Sequence, residues 1–170
     1  MELNEFKKKS RSSYDFDRWV RDKTVATPLG DLTVDFQIHR DRNPPDDEML
    51  KRAAELVRYM EQHGDYVLDV VFAAYLWAGR KGYLEFSRVP KGLTRENVCK
   101  YLEKKDRSLV VTRDPDSDEI YESAIFFTPK WDEEHALSLD FRDGQIVSAN
   151  GDPFRLVDGV LRYEWEDDKG

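Results

Sequence analysis

The chain has 170 residues, is 39% hydrophobic and 36% charged, and carries a formal net charge of -8. A domain of that length buries roughly 70% of the surface its unfolded chain exposes, so one sizeable core is expected and a disordered chain is excluded. The acidic balance argues against broad electrostatic binding to nucleic acid or anionic lipid, which need clustered Lys and Arg, and favours a basic protein partner.

Residues 1 to 18 mix the run KKKSRSS with isolated aromatics and read as a flexible or loosely docked arm, with Phe6, Tyr14 and Phe16 able to hold it. Asp15 and Asp17 dilute the basic run, which favours a solvated tail over a nucleic-acid patch. No apolar stretch of signal-peptide type follows these basic residues, so export by that route is not expected.

From Trp19 the chain divides at TPLGD into two strand-like pieces. Leu32, Val34, Phe36 and Ile38 alternate with Thr33, Asp35 and Gln37, which places one face on a core and the other in water. Asn43-Pro44-Pro45 then opens a helix, with Asn43 as cap and Pro44 at the first helical position. Met49, Ala53, Leu56 and Met60 recur at helical spacing, and Gly64 supplies the stop. A second helix over 65–78 is apolar nearly all round and reads as interior. Asp69 interrupts it, and it is well short of the roughly 20 residues that cross a bilayer.

GLTRENVCKYLEKK predicts a third helix capped by Thr94, with Val98, Tyr101 and Leu102 facing inward. Cys99 is the only cysteine, so no internal disulfide, zinc ribbon or CxxC pair can form; it reads as an inert core thiol, and a reducing cytoplasm fits. Strand patterns follow in SLVVT, EIYESAIFFT, HALSLDF, QIVSA and VLRYEW, separated by short turn-rich connections that suit an antiparallel meander.

The predicted fold is α+β: an N-terminal β-hairpin, three central helices and a C-terminal meander, with a single layer of helices on a mostly antiparallel sheet. One domain over 19–166 is expected, followed by a frayed acidic tail at 167–170. A monomer fits, as does a homodimer paired through an exposed strand edge.

No complete catalytic, nucleotide or metal motif is present. DPDSDE, Asp114 to Glu119, starts like a calcium loop. Glu119 stands where an EF-hand needs glycine and Ile125 where it needs the bidentate Glu, so an acidic hairpin turn is the better reading. His39, His63 and His135 have no second His at metal-binding spacing. No metal or cofactor is therefore predicted.

The stretch WDEEHALSLDFRDGQIV, Trp131 to Val147, is the one that raises chemistry. Glu134 and His135, beside Asp132 and Glu133, are groups that general acid–base catalysis uses. Against that, neighbours in a strand point to opposite faces, so Glu134 and His135 would not converge on one atom. Leu137, Leu139 and Phe141 share a face, and Asp143-Gly144 is a strong hairpin turn that pairs Phe141 with Ile146. A structural hairpin with an acidic entry is favoured over an active site.

This stretch resembles the segment W-[DN]-x-E-H-[GA]-hydrophobic-x-hydrophobic-x-F-x-[DN]-G-x-hydrophobic-V near the C-terminus of a family of uncharacterised bacterial α+β domains. The order of LGDLTVDF, a helix pair and LTRENVCKYL is similar too, so the likeness spans residues 24 to 150. Its specific positions are Trp131, Glu134, His135, Phe141 and Gly144, and Ala136 departs from the more usual glycine. The resemblance implies an α+β fold and, through immunity-like relatives, an immunity or inhibitor role; it brings no reaction.

The functional expectation is a non-enzymatic, cytoplasmic interaction protein that covers a basic partner, such as a toxin, with carboxylates. Asp116, Asp118, Asp132 and Glu133 are the expected contacts. The alternative is an enzyme or small-ligand binder with its pocket beside Trp131, Glu134 and His135.

Overall fold

The computed structural model describes residues 1–9, 16–39, 44–80, 91–102, 107–126 and 137–164. Four strands open the chain: β1 (Phe6–Lys9), β2 (Phe16–Arg21), β3 (Val25–Thr27) and β4 (Gly30–His39). One α-helix among the described residues, α1 (Asp47–Arg80), leads through the 3-10 turn Arg95–Lys100 to β5 (Ser108–Arg113) and β6 (Ile120–Phe126). β7 (Leu137–Arg142), β8 (Gln145–Ala149), β9 (Asp152–Val157) and β10 (Val160–Tyr163) complete the sheet.

The expectation of three central helices is overturned. The first two are one 34-residue helix with a kink at His63 (φ -122°, ψ 15°). Gly64, read from sequence as a helix stop, does lie beside that break, and it is also a point of close approach: a Cβ there would lie 2.5 Å from Pro28 Cδ. Two helical segments therefore meet at His63, and the second carries on from the first with no intervening loop. The third expected helix is only a six-residue 3-10 turn. Thr94 and Asn97 form its capping box, but the Leu102 carbonyl accepts a hydrogen bond from the buried Arg107 guanidinium at 2.9 Å, where a longer helix would have used it.

The start of α1 also differs. Asn43 lies outside the described residues, and Asp46 does the capping, its Oδ1 accepting from the Met49 N–H at 3.0 Å.

The ten strands form one mixed sheet, ordered β1-β2-β4-β5-β6-β7-β8-β9-β10, with β3 hairpinned onto β4. All pairs are antiparallel except β4 with β5, which are parallel. That exception follows from α1: a helix between two strands carries the chain back over the sheet, so the next strand enters in the same direction. The sheet therefore dominates a fold expected to be split between helices and strands.

α1 covers one face. Met49, Ala53, Leu56, Met60, Val67 and Val70 from the helix meet Leu32, Val34, Phe36, Leu109, Val111 and Leu139 from the sheet, all buried in one core. Fully burying one such side chain is worth roughly 1.5–3 kcal/mol. Both ends of the sheet are tied to this core: Phe6 of β1 packs on Phe36 at 4.7 Å between ring centroids, and Tyr163 of β10 meets Trp77 of α1 edge-on at 4.6 Å.

Candidate functional site

Two register rows across the sheet position the site. On the helix-facing side, Trp19, Phe36, Val111, Glu122, Phe141 and Ile146 stand opposite one another on successive strands. Five members are apolar and one is a glutamate. On the other side, the corresponding row is Val20, Asp35, Val110, Ser123, Asp140 and Ser148.

Asp35 was expected in water and is fully buried instead. Val20 and Val110 flank it across the strands, and Arg18 closes on it, donating from Nε to Oδ2 at 2.7 Å. Its Oδ1 has no hydrogen-bond partner among the described residues. Burial pushes the Asp35 carboxyl above the usual aspartate range, with the Arg18 hydrogen bond and charge pulling the other way.

Asp140 is held differently. The Ser123 hydroxyl donates to Oδ1 at 2.9 Å and the Ser148 hydroxyl donates to Oδ2, so hydroxyls from both flanking strands fix the carboxylate. No ion pair with a described cation accompanies them.

Glu122 is 6% exposed. Arg52, one helical face away on α1, comes within 3.4 Å of its Oε1. Burial raises its carboxyl above the ordinary glutamate range; Arg52 lowers it, while Glu55 and Asp143 raise it further.

Glu122 and Asp140, but not Asp35, border an open groove of about 660 Å³ where the start of α1 meets the ends of β6, β7 and β8. Among the described residues, six carboxylates line it: Glu48, Asp118, Glu119, Glu122, Asp140 and Asp143. Two guanidinium groups, Arg52 and Arg142, accompany them. Tyr121 and Val147, both exposed, give the rim apolar area.

Arg113 organises the upper edge. It is largely buried and reaches Asp46 at 2.7 Å, Glu48 at 3.5 Å and Asp118 at 3.3 Å, tying the helix start to the β5–β6 turn. That turn is built locally: Asp114 Oδ1 accepts from the N–H groups of Asp116 and Ser117, both at 2.8 Å, and Asp118 takes a left-handed conformation (φ 64°). At the lower edge, Asp143 and Gly144 (φ 51° and 70°) make the tight β7–β8 turn. Just beyond it the register slips between Asp140 and Phe141, which leaves Val147 as the extra residue of a bulge.

Of the residues singled out from sequence, Asp118 lines the groove, while Asp116 is exposed on the same turn but does not. Trp131, Asp132, Glu133, Glu134 and His135 all lie outside the described residues, including the whole alternative ligand site. The sequence reading missed Glu48, Arg52, Glu122, Asp140 and Asp143. The one available signal was parity: Glu122 shares a strand face with Ala124, yet EIYESAIFF has apolar residues on both faces, and only the fold decides which face is inside.

Among the described residues, no helix is long and apolar enough to cross a membrane. No curated protein and no solved structure matches the chain. A family model does match residues 7–152, from β1 into β9, and the chain belongs to that family, described as Domain of unknown function (DUF6985).

Proposed function

We propose that the protein is a non-enzymatic interaction module whose acidic groove receives a basic segment of a protein partner. The observation that carries this reading is the excess of six lining carboxylates over Arg52, Arg142 and the edge residue Arg113 around a concave surface. Complementary charge steers encounter and selects against acidic competitors, and a groove concentrates the field more than a convex surface does.

Asp140 is also held in place before any partner arrives. The two serine hydroxyls fix Asp140, so little side-chain entropy is lost there on binding, while Arg113 pairs more loosely with the half-exposed Glu48 and Asp118. Tyr121 and Val147 supply the apolar contact that charge alone lacks. An inhibitor or immunity-like role in the cytoplasm, with the groove covering a basic surface of a toxin, is the specific form of this proposal. The family match supports an uncharacterised domain and leaves the partner to experiment.

Calorimetric titration with a synthetic Arg/Gly-rich peptide tests it, against a Glu/Gly peptide of equal length. Binding of the basic peptide that weakens as salt rises is the expected result. Equal behaviour of the two peptides contradicts the proposal.

A further inference from the structure

Glu122 is out of place in its row. An ionised carboxylate facing a core is costly unless its oxygens are satisfied, and a well-made guanidinium–carboxylate pair is bidentate and short, roughly 2.7–2.9 Å. Here Arg52 approaches Oε1 only at 3.4 Å, the long end of hydrogen-bond range. An ion pair serving stability alone would be expected to close.

What stands before this carboxylate is a second cavity of about 360 Å³, between α1 and the β7–β8 turn and contiguous with the groove through Arg52, Glu122, Phe141 and Asp143. Leu56, Tyr59 and Phe141 give it apolar and aromatic walls, the two rings meeting edge-on at 5.4 Å between centroids. Glu55, Glu122 and Asp143 outnumber Arg52 and Arg58, so the cavity is net negative.

We propose that this cavity seats one arginine side chain of the basic partner, its guanidinium on the Glu122 carboxylate and its stem along Leu56, Tyr59 and Phe141. This rests on the basic-partner reading and deepens it, naming the anchor of that interaction. A guanidinium fits better than an ammonium for two reasons. Its planar fork matches a carboxylate and stacks on aromatic rings, and it gives up water more readily. Arginine is also the charged residue most often found as an interface hot spot.

The charge around Glu122 gives the site a pH signature. Arg52 and Glu55 face it from α1 and Asp143 from the β7–β8 turn. An arriving guanidinium favours the ionised carboxylate, so binding takes a proton off Glu122 and tightens as pH rises through the raised Glu122 range.

The test titrates acetyl-arginine amide and its neutral isostere acetyl-citrulline amide into the full chain, followed by NMR, beside the Arg/Gly peptide. The arginine probe should shift resonances of Tyr59, Phe141 and Gly144, and the citrulline probe should not. Glu122→Gln should weaken the arginine probe by about tenfold or more, the worth of one charged hydrogen bond, and flatten its pH dependence. Asp143→Asn, on an exposed turn that tolerates change, should weaken it less and keeps the test valid if Glu122→Gln disturbs folding. Equal response to arginine and citrulline overturns the proposal, as does unchanged arginine binding in both variants. If the peptide binds wild type and Glu122→Gln alike, the groove reading survives and the arginine pocket is overturned. If the arginine probe behaves as expected but the peptide does not bind, the pocket is supported and the groove reading fails.

Discussion

Gly64 of α1 faces Pro28 of the β3–β4 turn so closely that any side chain at position 64 would strike the proline ring, with Cδ 2.5 Å and Cγ 2.9 Å from an added Cβ. In an exposed helix, Gly to Ala gains about 1 kcal/mol of helix propensity. At this contact, overpacking of about 1–3 kcal/mol opposes and exceeds it. Gly64→Ala should therefore destabilise the protein in urea unfolding, and adding Pro28→Ala should recover most of the loss. A stabilised single variant would show that the contact yields without strain.

Asp35 predicts an unusual pH dependence. Its carboxyl is raised by burial above the unfolded range, so the folded state binds its proton more tightly than the unfolded state does. The ionised form thus costs stability above the folded pKa, and the cost is relieved as pH falls through that raised value toward the unfolded one, about 3.9. Relative to Asp35→Asn, the wild type should gain stability on acidification through this window. A difference between the two that is flat with pH, or that moves against the wild type, rejects the assignment. The comparison must be a difference, because Glu5, lowered chiefly by its backbone hydrogen bond with Glu2, pulls total stability the other way.

Arg113 connects three carboxylates from two elements, but Asp46, Glu48 and Asp118 are themselves more than half exposed. Screening limits such pairs, so Arg113→Ala should cost only about 1 kcal/mol in urea, less at high salt. The larger effect should be on the backbone amides of Asp116 to Glu119, whose hydrogen exchange should speed up once the turn is untied from α1. Unchanged exchange there would mean that the turn holds itself.

Ser123 and Ser148 share one acceptor, Asp140. Each Ser→Ala should cost about 1 kcal/mol, and the double variant should depart from additivity because both bonds polarise the same carboxylate. Simple additivity in a double-mutant cycle would show that the hydroxyls act independently.

Burial periodicity made much of the core legible. Leu32, Val34, Phe36 and Ile38 are all buried on one face of β4, and Met49, Ala53, Leu56 and Met60 on one face of α1, because spacing alone fixes which side chains share a face. Asp143-Gly144 likewise set the pairing of Phe141 with Ile146, since a two-residue turn fixes register locally. What spacing does not encode is what lies beyond the neighbouring strand. Gly64 marks the break in α1 as its sequence suggests, but its contact with Pro28 shows only once the β3–β4 turn is placed beside it. Asp35 alternates as a solvent residue would, and spacing does not show its burial between Val20 and Val110 on the neighbouring strands. Arg52 and Glu122 are 70 positions apart in sequence, so their pairing depends on the α1 crossover and on β6 joining the sheet beside β5. The candidate site, assembled from four elements, was therefore the least readable part.

The central claim is that the groove, and not net charge at large, receives the basic partner. The most direct measurement compares Arg/Gly peptide affinity in two charge-matched double variants. Asp118→Asn with Asp140→Asn alters the groove, and Asp152→Asn with Asp158→Asn removes the same charge from exposed positions outside its lining. The account predicts a loss of about tenfold or more in the groove variant and little change in the control. Equal losses in the two would contradict it, reducing the interaction to the overall charge of -8.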